Sequence, residues 1–190
     1  MLTRKEWIDK NASFAIEAVK GSGIFPETLL AMAIVESQGK VSGNWYPGAG
    51  LVARKANNFF GIKKGVGWKG PTILLPTPGD ADKISEFRVY PSFEASAKDF
   101  VKFLQVNPRY KRAGVFNAQD YVEQIISIAR AGYAESPSYT TVVTAVAKRV
   151  KAQIANIIEP IVKNGKIAPL LIAGLVVTLY LLRNKILYNA

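Results

Sequence analysis

The chain has 190 residues and a formal net charge of +11, which is long enough for one domain with a hydrophobic core and an additional segment. It contains no cysteine and no histidine, which excludes disulfides, thiolate metal sites and catalysis by Ser-His or Cys-His pairs. Acid–base chemistry is therefore left to carboxylates, tyrosine and lysine. We expect neither a metal ion nor a cofactor.

Two helices are predicted at the N-terminus. Thr3 and Glu6 form a capping box for a helix that runs to about Lys20. Pro26 stands at a favoured first-turn position for a second helix, whose sequence is almost entirely apolar up to Glu36.

Glu36 is the candidate proton donor. It follows eight uncharged residues and precedes Gly39, so it lies at the C-terminal end of its helix. The helix dipole and the apolar neighbours both disfavour a negative charge there, and both raise the pKa of the carboxyl group. A raised pKa suits a group that must donate a proton near neutral pH. The alternative is a solvated glutamate in a fraying last turn.

The middle of the chain is predicted to contain a β-hairpin. Residues 39–50 are rich in Gly, Asn and Pro and indicate an irregular loop. Two short strands are predicted at 71–75 and 84–90, and the sequence Pro78-Gly79-Asp80 falls in the connection between them.

Positive charge concentrates in the same region. Between Ser37 and Gly79 there is no acidic residue, whereas six basic residues occur, namely Lys40, Arg54, Lys55, Lys63, Lys64 and Lys69. Such a segment favours nucleic acid, anionic lipid or an acidic cell-wall polymer, and an ordinary basic surface explains it equally well. No helix-turn-helix, zinc-finger or ribonucleoprotein motif accompanies it, so we expect no nucleic-acid partner.

Three amphipathic helices are predicted to follow, beginning at Ser92, Asn117 and Pro137. We therefore expect a mostly helical α+β domain over residues 1–150, with a small β-hairpin lobe that faces the helices across a cleft. Residues 151–166 are expected to form a linker.

The C-terminal segment is different in character. From Ile167 to Leu182 no residue is charged, and basic residues stand on both sides. Sixteen helical residues span about 24 Å, slightly less than a hydrocarbon core of ~30 Å, and flanking Lys and Arg can cover the difference. We expect a transmembrane anchor over 167–183 in contact with a lipid bilayer, in preference to a buried core helix, because the segment lacks a polar face.

A single C-terminal anchor implies a single-pass membrane protein. The first residues form no apolar signal-peptide region, so the bulk of the protein is expected on the side where it is made. The expected location is a virion membrane or the bacterial cell envelope.

Several motifs resemble one enzyme family, the glucosaminidase-type peptidoglycan hydrolases of glycoside hydrolase family 73, related to flagellar-rod and autolysin catalytic domains. The matching segments are, in order, 33–37 (AIVES), 57–63 (NNFFGIK), 68–70 (WKG), 87–93 (FRVYPSF), 107–110 (NPRY) and 131–139 (AGYAESPSY). The resemblance covers roughly residues 1–150.

This resemblance implies a lysozyme-like α+β fold and cleavage of the β-1,4 bond after N-acetylglucosamine in peptidoglycan glycan strands. It places the general acid at Glu36 and implicates Tyr133 near the sugar that is cleaved, although Tyr133 is equally readable as a core aromatic. The substrate-binding residues that it suggests are Asn58, Phe60, Gly61, Trp68 and Tyr139. For the first three the alternative is loop packing.

The chain departs from the family pattern in the hairpin, where members commonly carry a second glutamate. Pro78 stands at about that position. Asp80 is the first candidate for the second catalytic group and Asp82 the next, while the N-acetyl group of the substrate is a third possibility. Ordinary turn chemistry also explains both aspartates.

Other functions remain open on the same fold. One alternative is a lytic transglycosylase, which also works with one glutamate and no second base, and another is a muramidase. A third is a catalytically weak protein that binds glycan or organises the envelope. Because no signal peptide is present, a phage lytic enzyme is favoured over a bacterial enzyme that is secreted by a dedicated machine.

Overall fold

The computed structural model describes residues 1–134 and 136–163. Its elements are the helices α1 (Arg4–Val19), α2 (Pro26–Ser37), α3 (Leu51–Ala56), α4 (Phe93–Val106), α5 (Pro108–Arg112), α6 (Tyr121–Arg130) and α7 (Tyr139–Lys163), and the strands β1 (Gly39–Val41), β2 (Asn44–Tyr46), β3 (Thr72–Thr77) and β4 (Asp80–Arg88). A short 3-10 turn at Val115–Asn117 precedes α6. The predicted α+β composition is confirmed.

Helix α2 lies at the centre of the helical lobe. Every residue from Pro26 to Ile34 is buried, and α1, α6 and α7 all contact this helix. A helix that is apolar on every side must be covered on every side, and each buried Leu, Ile or Met contributes about 1.5–3 kcal/mol. Glu36, in the last turn, is the first charged side chain that the helix carries beyond this covered part.

Local capping signals account for most helix starts. The Thr3 capping box is present, and the Ser92 hydroxyl accepts from the Ala95 amide at the start of α4. The predicted start at Asn117 is wrong, because α6 begins after Asp120. The Asp120 carboxylate accepts from the Glu123 amide at 2.8 Å and caps the helix.

The hairpin lobe is built on two antiparallel strands, β3 and β4, joined by a turn at Pro78 and Gly79. The predicted hairpin is confirmed, with longer strands than expected. A further extended segment pairs with β4, because the Lys64 amide donates to Glu86 O at 2.8 Å and the Arg88 amide donates to Ile62 O at 3.1 Å. This third segment forms the edge of the lobe that faces the helices.

The region predicted as an irregular loop contains regular structure. Residues 39–50 include the small hairpin of β1 and β2, and α3 follows at once. A strand of three residues is too short to show the alternation of apolar and polar residues by which strands are recognised, especially in a sequence rich in Gly and Asn.

The expected transmembrane helix requires correction. In the residues that the structure describes, no helix combines the length and the apolar character needed to cross a membrane. The segment 167–183, on which the expectation rested, lies outside those residues. The fold assignment is therefore limited to the α+β domain that the described residues form, and the expected single-pass location in a virion membrane or cell envelope is withdrawn.

Helix α7 continues past the expected domain boundary at residue 150. Val150 and Ile154 are both fully buried, and the Gln153 side chain donates to the Asp9 carboxylate of α1 at 2.6 Å. At least one further turn of the expected linker thus packs against the helical lobe.

Candidate active site

A cleft of about 760 Å³ runs between the two lobes. The helical lobe contributes Glu36, Phe103, Arg109, Gly132, Tyr133 and Ala134 to its lining, and the hairpin lobe with the loop before it contributes Phe60, Gly61, Ile62, Lys63, Gly65, Pro78, Phe87 and Arg88. A long open groove between a helical and a β lobe suits an extended polymer.

The end of helix α2 positions Glu36. The Ser37 hydroxyl accepts from the Gly48 amide at 2.9 Å, and Ser37 O accepts from the Gly50 amide at 2.8 Å. Gly39 is required beside this contact, since a Cβ there would lie 2.6 Å from the carbonyl carbon of Ala49. The backbone that carries Glu36 is therefore held by close packing.

The Glu36 side chain is exposed to the cleft, and the protein around its carboxyl group reduces the hydration of the charged form. The resulting loss of hydration raises its pKa to about 6, and the Tyr139 hydroxyl opposes this rise by favouring the carboxylate. The predicted upward shift is therefore present. Half of the groups carry a proton at pH 6, which suits donation near neutral pH.

Two tyrosines lie near Glu36. The Tyr133 hydroxyl donates to Phe60 O at 2.9 Å, which ties the segment after α6 to the loop before the hairpin lobe. The Tyr139 hydroxyl is buried and makes no close hydrogen bond to a described residue, but it lies near enough to Glu36 to interact with its carboxylate. Burial and the nearby Glu36 carboxylate raise the pKa of both tyrosines, so both stay protonated.

Asn58 is not part of the cleft lining, whereas Phe60 lines the cleft with very little exposed surface. The Asn58 side chain is buried, and its amide donates to Ile62 O and Arg88 O at 2.8 and 3.0 Å. The Phe60 ring is 3% exposed and stacks on Phe100 with a centroid separation of 4.1 Å. Both residues hold the loop in place. Gly61 does line the cleft, at a φ of +62°.

Trp68 supports the wall of the cleft from behind. Its indole donates to Pro71 O at 3.1 Å, and its ring contacts Tyr90 and the Arg88 guanidinium. Arg88 in turn pairs with the Asp99 carboxylate at 2.8 Å. Trp68 is not among the residues that line the cleft and makes structural contacts, so its role in substrate binding stays a prediction.

In the part of the chain that the structure describes, no second carboxylate lines the cleft. Asp80 and Asp82 are exposed on β4 and neither belongs to the cleft lining, whereas Pro78 does. Glu86 lies on the other face of the hairpin, where Thr72 donates to it at 2.6 Å. Among the described residues, Glu36 is the one carboxylate that lines the cleft.

Sequence reasoning missed three cations in the cleft lining, Lys63, Arg88 and Arg109. Two features of the sequence could have indicated them, namely the segment without acidic residues around Lys63 and the family motifs that contain Arg88 and Arg109. They were insufficient because a sequence does not show which basic side chains face a groove and which face solvent.

Known proteins resemble the chain in sequence and in fold. It is 33% identical over 144 residues to the peptidoglycan hydrolase FlgJ of Salmonella typhimurium, covering 71% of this chain and 42% of that protein. It is 29% identical over 150 residues to the exo-glucosaminidase LytG of Bacillus subtilis, covering 74% of this chain and 49% of that protein. The chain thus spans less than half the length of these relatives.

The solved glycoside hydrolase domain of Salmonella typhimurium FlgJ superposes with a TM-score of 0.63 at 27% identity, covering 87% of this chain and 99% of that domain. These relatives are bacterial proteins and give no support to the expected phage or virion origin. Residues 12–152 match the sequence profile of the glucosaminidase family, described as mannosyl-glycoprotein endo-beta-N-acetylglucosaminidase, and since this match covers most of the chain, the chain belongs to that family of glycoside hydrolases.

Proposed function

We propose that this protein is a peptidoglycan hydrolase that cleaves the β-1,4 bond after N-acetylglucosamine, with Glu36 as the general acid. The observation that carries the proposal is the Glu36 carboxyl group, which opens to an interlobe cleft and has a pKa raised to about 6. Membership in the glucosaminidase family supports cleavage after N-acetylglucosamine. The similarity to the peptidoglycan hydrolase FlgJ supports peptidoglycan as the polymer that is cleaved.

In the proposed reaction Glu36 first transfers its proton to the glycosidic oxygen as the bond to the anomeric carbon breaks. The carboxylate that results then removes a proton from the water that attacks the same carbon. Tyr139 assists the first step, because its buried hydroxyl faces Glu36 without another described partner and favours the charged carboxylate.

The nucleophile of the first step is proposed to be the acetamido oxygen of the substrate. This oxygen bonds to the anomeric carbon while the leaving sugar departs, and water later breaks that bond, with net retention of configuration. The support is that Glu36 is the one carboxylate lining the cleft in the described part of the chain, while Asp80 and Asp82 are exposed on the hairpin.

Purified cell walls test the assignment. The full chain is expected to lower their turbidity, and Glu36→Gln is expected to lose at least about a thousandfold in rate, since the proton donor contributes much of the acceleration. Equal lysis by both proteins would remove Glu36 from the mechanism. The wild-type rate is expected to fall as pH rises above about 6, where the acid loses its proton.

Mass spectrometry of the released fragments identifies the bond. N-acetylglucosamine at the new reducing end supports the proposal, N-acetylmuramic acid there assigns a muramidase, and anhydro ends assign a lytic transglycosylase. Early NMR spectra of the products distinguish retention from inversion, and an inverted product would reject the acetamido nucleophile.

A protein that only binds glycan is the second candidate, and the absence of a second carboxylate among the described cleft residues favours it. Sedimentation with cell walls without any new reducing ends would establish binding alone. Release of fragments by wild type, abolished in Glu36→Gln, would reject it.

A further inference from the structure

The cleft carries an excess of positive charge. Three cations line it, whereas Glu36 is its one carboxylate among the described residues. Arg88 is already neutralised, since its guanidinium pairs with Asp99 at 2.8 Å and both side chains are largely buried. The charge that remains available to a ligand belongs to Lys63 and Arg109.

Neither of these two residues has a carboxylate within 4.0 Å in the part of the chain that the structure describes. Both side chains are exposed. The neighbouring Lys64 differs, because it pairs with Glu86 at 3.2 Å on the outer face of the hairpin. Of these two consecutive lysines, therefore, Lys64 forms an ion pair with Glu86 and Lys63 lines the cleft.

Arg109 is held in place for binding. Its Nη1 group donates to Gly132 O at 3.2 Å, its Nη2 group donates to the Tyr110 hydroxyl at 2.6 Å, and its guanidinium lies over the Tyr110 ring. These contacts reduce the entropy lost when a ligand binds. The remaining N–H groups make no hydrogen bond to a described residue, and a planar guanidinium matches the geometry of a carboxylate.

The two cations belong to opposite walls. Lys63 is in the segment that pairs with β4, and Arg109 is in α5, beside the turn that leads to Tyr133. A polymer that lies along the cleft passes between them.

We propose that Lys63 and Arg109 bind carboxylate groups carried by the glycan, so that the cleft selects an acidic β-1,4 glycan over a neutral one of the same backbone. The inference rests on the proposed function. Peptidoglycan provides such carboxylates in two ways, as the lactyl group of each muramyl sugar once the peptide is removed, or as the acidic residues of the attached peptide. A glycan of N-acetylglucosamine alone provides neither.

Three substrates with one backbone test the proposal. The first is glycan strands that retain their peptides, the second is strands stripped of peptide with free lactyl carboxylates, and the third is the stripped strands with those carboxylates converted to methylamides. We expect the full chain to cleave the charged strands with a kcat/KM about five- to twentyfold above that for the neutral strands at low salt. This ratio is expected to shrink at 0.5 M salt.

The first two substrates separate the sources of charge. If peptide carboxylates are bound, kcat/KM is highest for the peptide-bearing strands; if the lactyl group is bound, it is highest for the stripped strands. Either result supports the proposal, and equal cleavage of charged and neutral strands would overturn it.

Variants connect the preference to the two residues. Lys63→Gln and Arg109→Gln are each expected to lower the ratio of kcat/KM on the preferred charged strands to kcat/KM on the neutral strands about two- to fivefold. Lys63→Arg and Arg109→Lys keep the charge and are expected to keep most of the preference. Lys55→Gln, an exposed lysine outside the cleft lining, is the matched control and is expected to change nothing.

A merely structural role predicts a different pattern, in which the glutamine variants lose activity on charged and neutral strands alike, and this pattern would reject the proposal. Failure of the proposed function is recognised separately, because wild type would then release no reducing ends from any of the three substrates.

Discussion

At the scale of single residues, Glu36 combines two demands that oppose each other. Catalysis needs a carboxyl group that keeps its proton near neutral pH, and the protein provides this by surrounding the group so that its charged form is poorly hydrated. The same loss of hydration destabilises the fold whenever Glu36 is charged. Activity and stability should therefore respond in opposite directions when this carboxyl group is removed.

Glu36→Gln is expected to be more stable than wild type at pH 7 and equally stable at pH 4. The folded pKa of about 6 lies above the ordinary 4.5, so the group's contribution is favourable at low pH and is lost as pH rises through 4.5 to 6. Because the side chain is partly open to solvent, we expect a gain of at most about 1 kcal/mol at pH 7.

Urea unfolding at both pH values measures this difference. Glu94→Gln is the control, since Glu94 forms an exposed pair with Lys98 and its loss should cost less than about 0.5 kcal/mol at either pH. A lower stability of Glu36→Gln at pH 7 would contradict the explanation of the raised pKa.

Tyr139→Phe is expected to move the alkaline limb of the pH–rate profile to higher pH. The Tyr139 hydroxyl lowers the pKa of Glu36 by favouring the carboxylate, so its removal leaves the carboxyl group protonated over a wider range. Tyr133→Phe is the comparison, because that hydroxyl donates to Phe60 O and its loss should leave the limb in place. A Tyr139→Phe profile that does not move would show that the hydroxyl acts elsewhere.

At the scale of elements, two short segments position the cleft. The loop between α3 and β3 is held by Asn58, which bonds to backbone atoms of Ile62 and Arg88. The end of α2 is held by contacts that leave no room for a side chain at Gly39. Both are packing requirements, and both lie next to residues that line the cleft.

Asn58→Ala is expected to lower the free energy of unfolding by about 2–3 kcal/mol, because it leaves buried backbone groups without partners. Denaturant unfolding measures this, with the exposed Asn44→Ala as control. A variant of normal stability with a raised KM would restore the direct role in glycan binding that the sequence suggested.

Gly39→Ala is expected to cost more than about 2 kcal/mol and to reduce activity, because its Cβ would lie 2.6 Å from the carbonyl carbon of Ala49 and the end of α2 would have to move. Gly43→Ala is the control, with open space around its Cβ and a φ of +85°, where only backbone strain of about 1 kcal/mol is expected. Thermal unfolding and wall lysis are both recorded, and equal losses in the two variants would argue against close packing at Gly39.

At the scale of the whole molecule, the helical lobe depends on α7 as much as on α2. Helix α7 contacts α1, α2 and α6, and its buried residues continue to Ile154. The unit that folds therefore extends beyond residue 150, where the amphipathic pattern alone suggested an end.

A chain of residues 1–163 is expected to fold and to keep its activity on cell walls, whereas residues 1–150 should lose about 2–4 kcal/mol. The shorter chain lacks Ile154, which is fully buried, and the hydrogen bond from Gln153 to Asp9. Urea unfolding of both chains measures the difference. Equal stability would place the domain boundary at residue 150 after all.

The sequence by itself determined the longer helices, the main hairpin and the family. Helix caps at Thr3 and Ser92, the apolar run of α2 and the turn at Pro78 and Gly79 depend on residues a few positions apart, so they are readable without a structure. The ordered motifs pointed to the glucosaminidase family, and Glu36 was recognisable as a carboxylate in an unfavourable place.

Only the tertiary structure decided which of the motif residues face the cleft. Asn58, Trp68 and Asp80 are outside the cleft lining, Phe60 lines the cleft with little exposed surface, and Lys63 and Arg109 line it from opposite walls. These assignments depend on contacts between residues far apart in the chain, such as Tyr133 with Phe60. Neither periodicity nor capping carries that information, because both report only on neighbours within one or two helical turns.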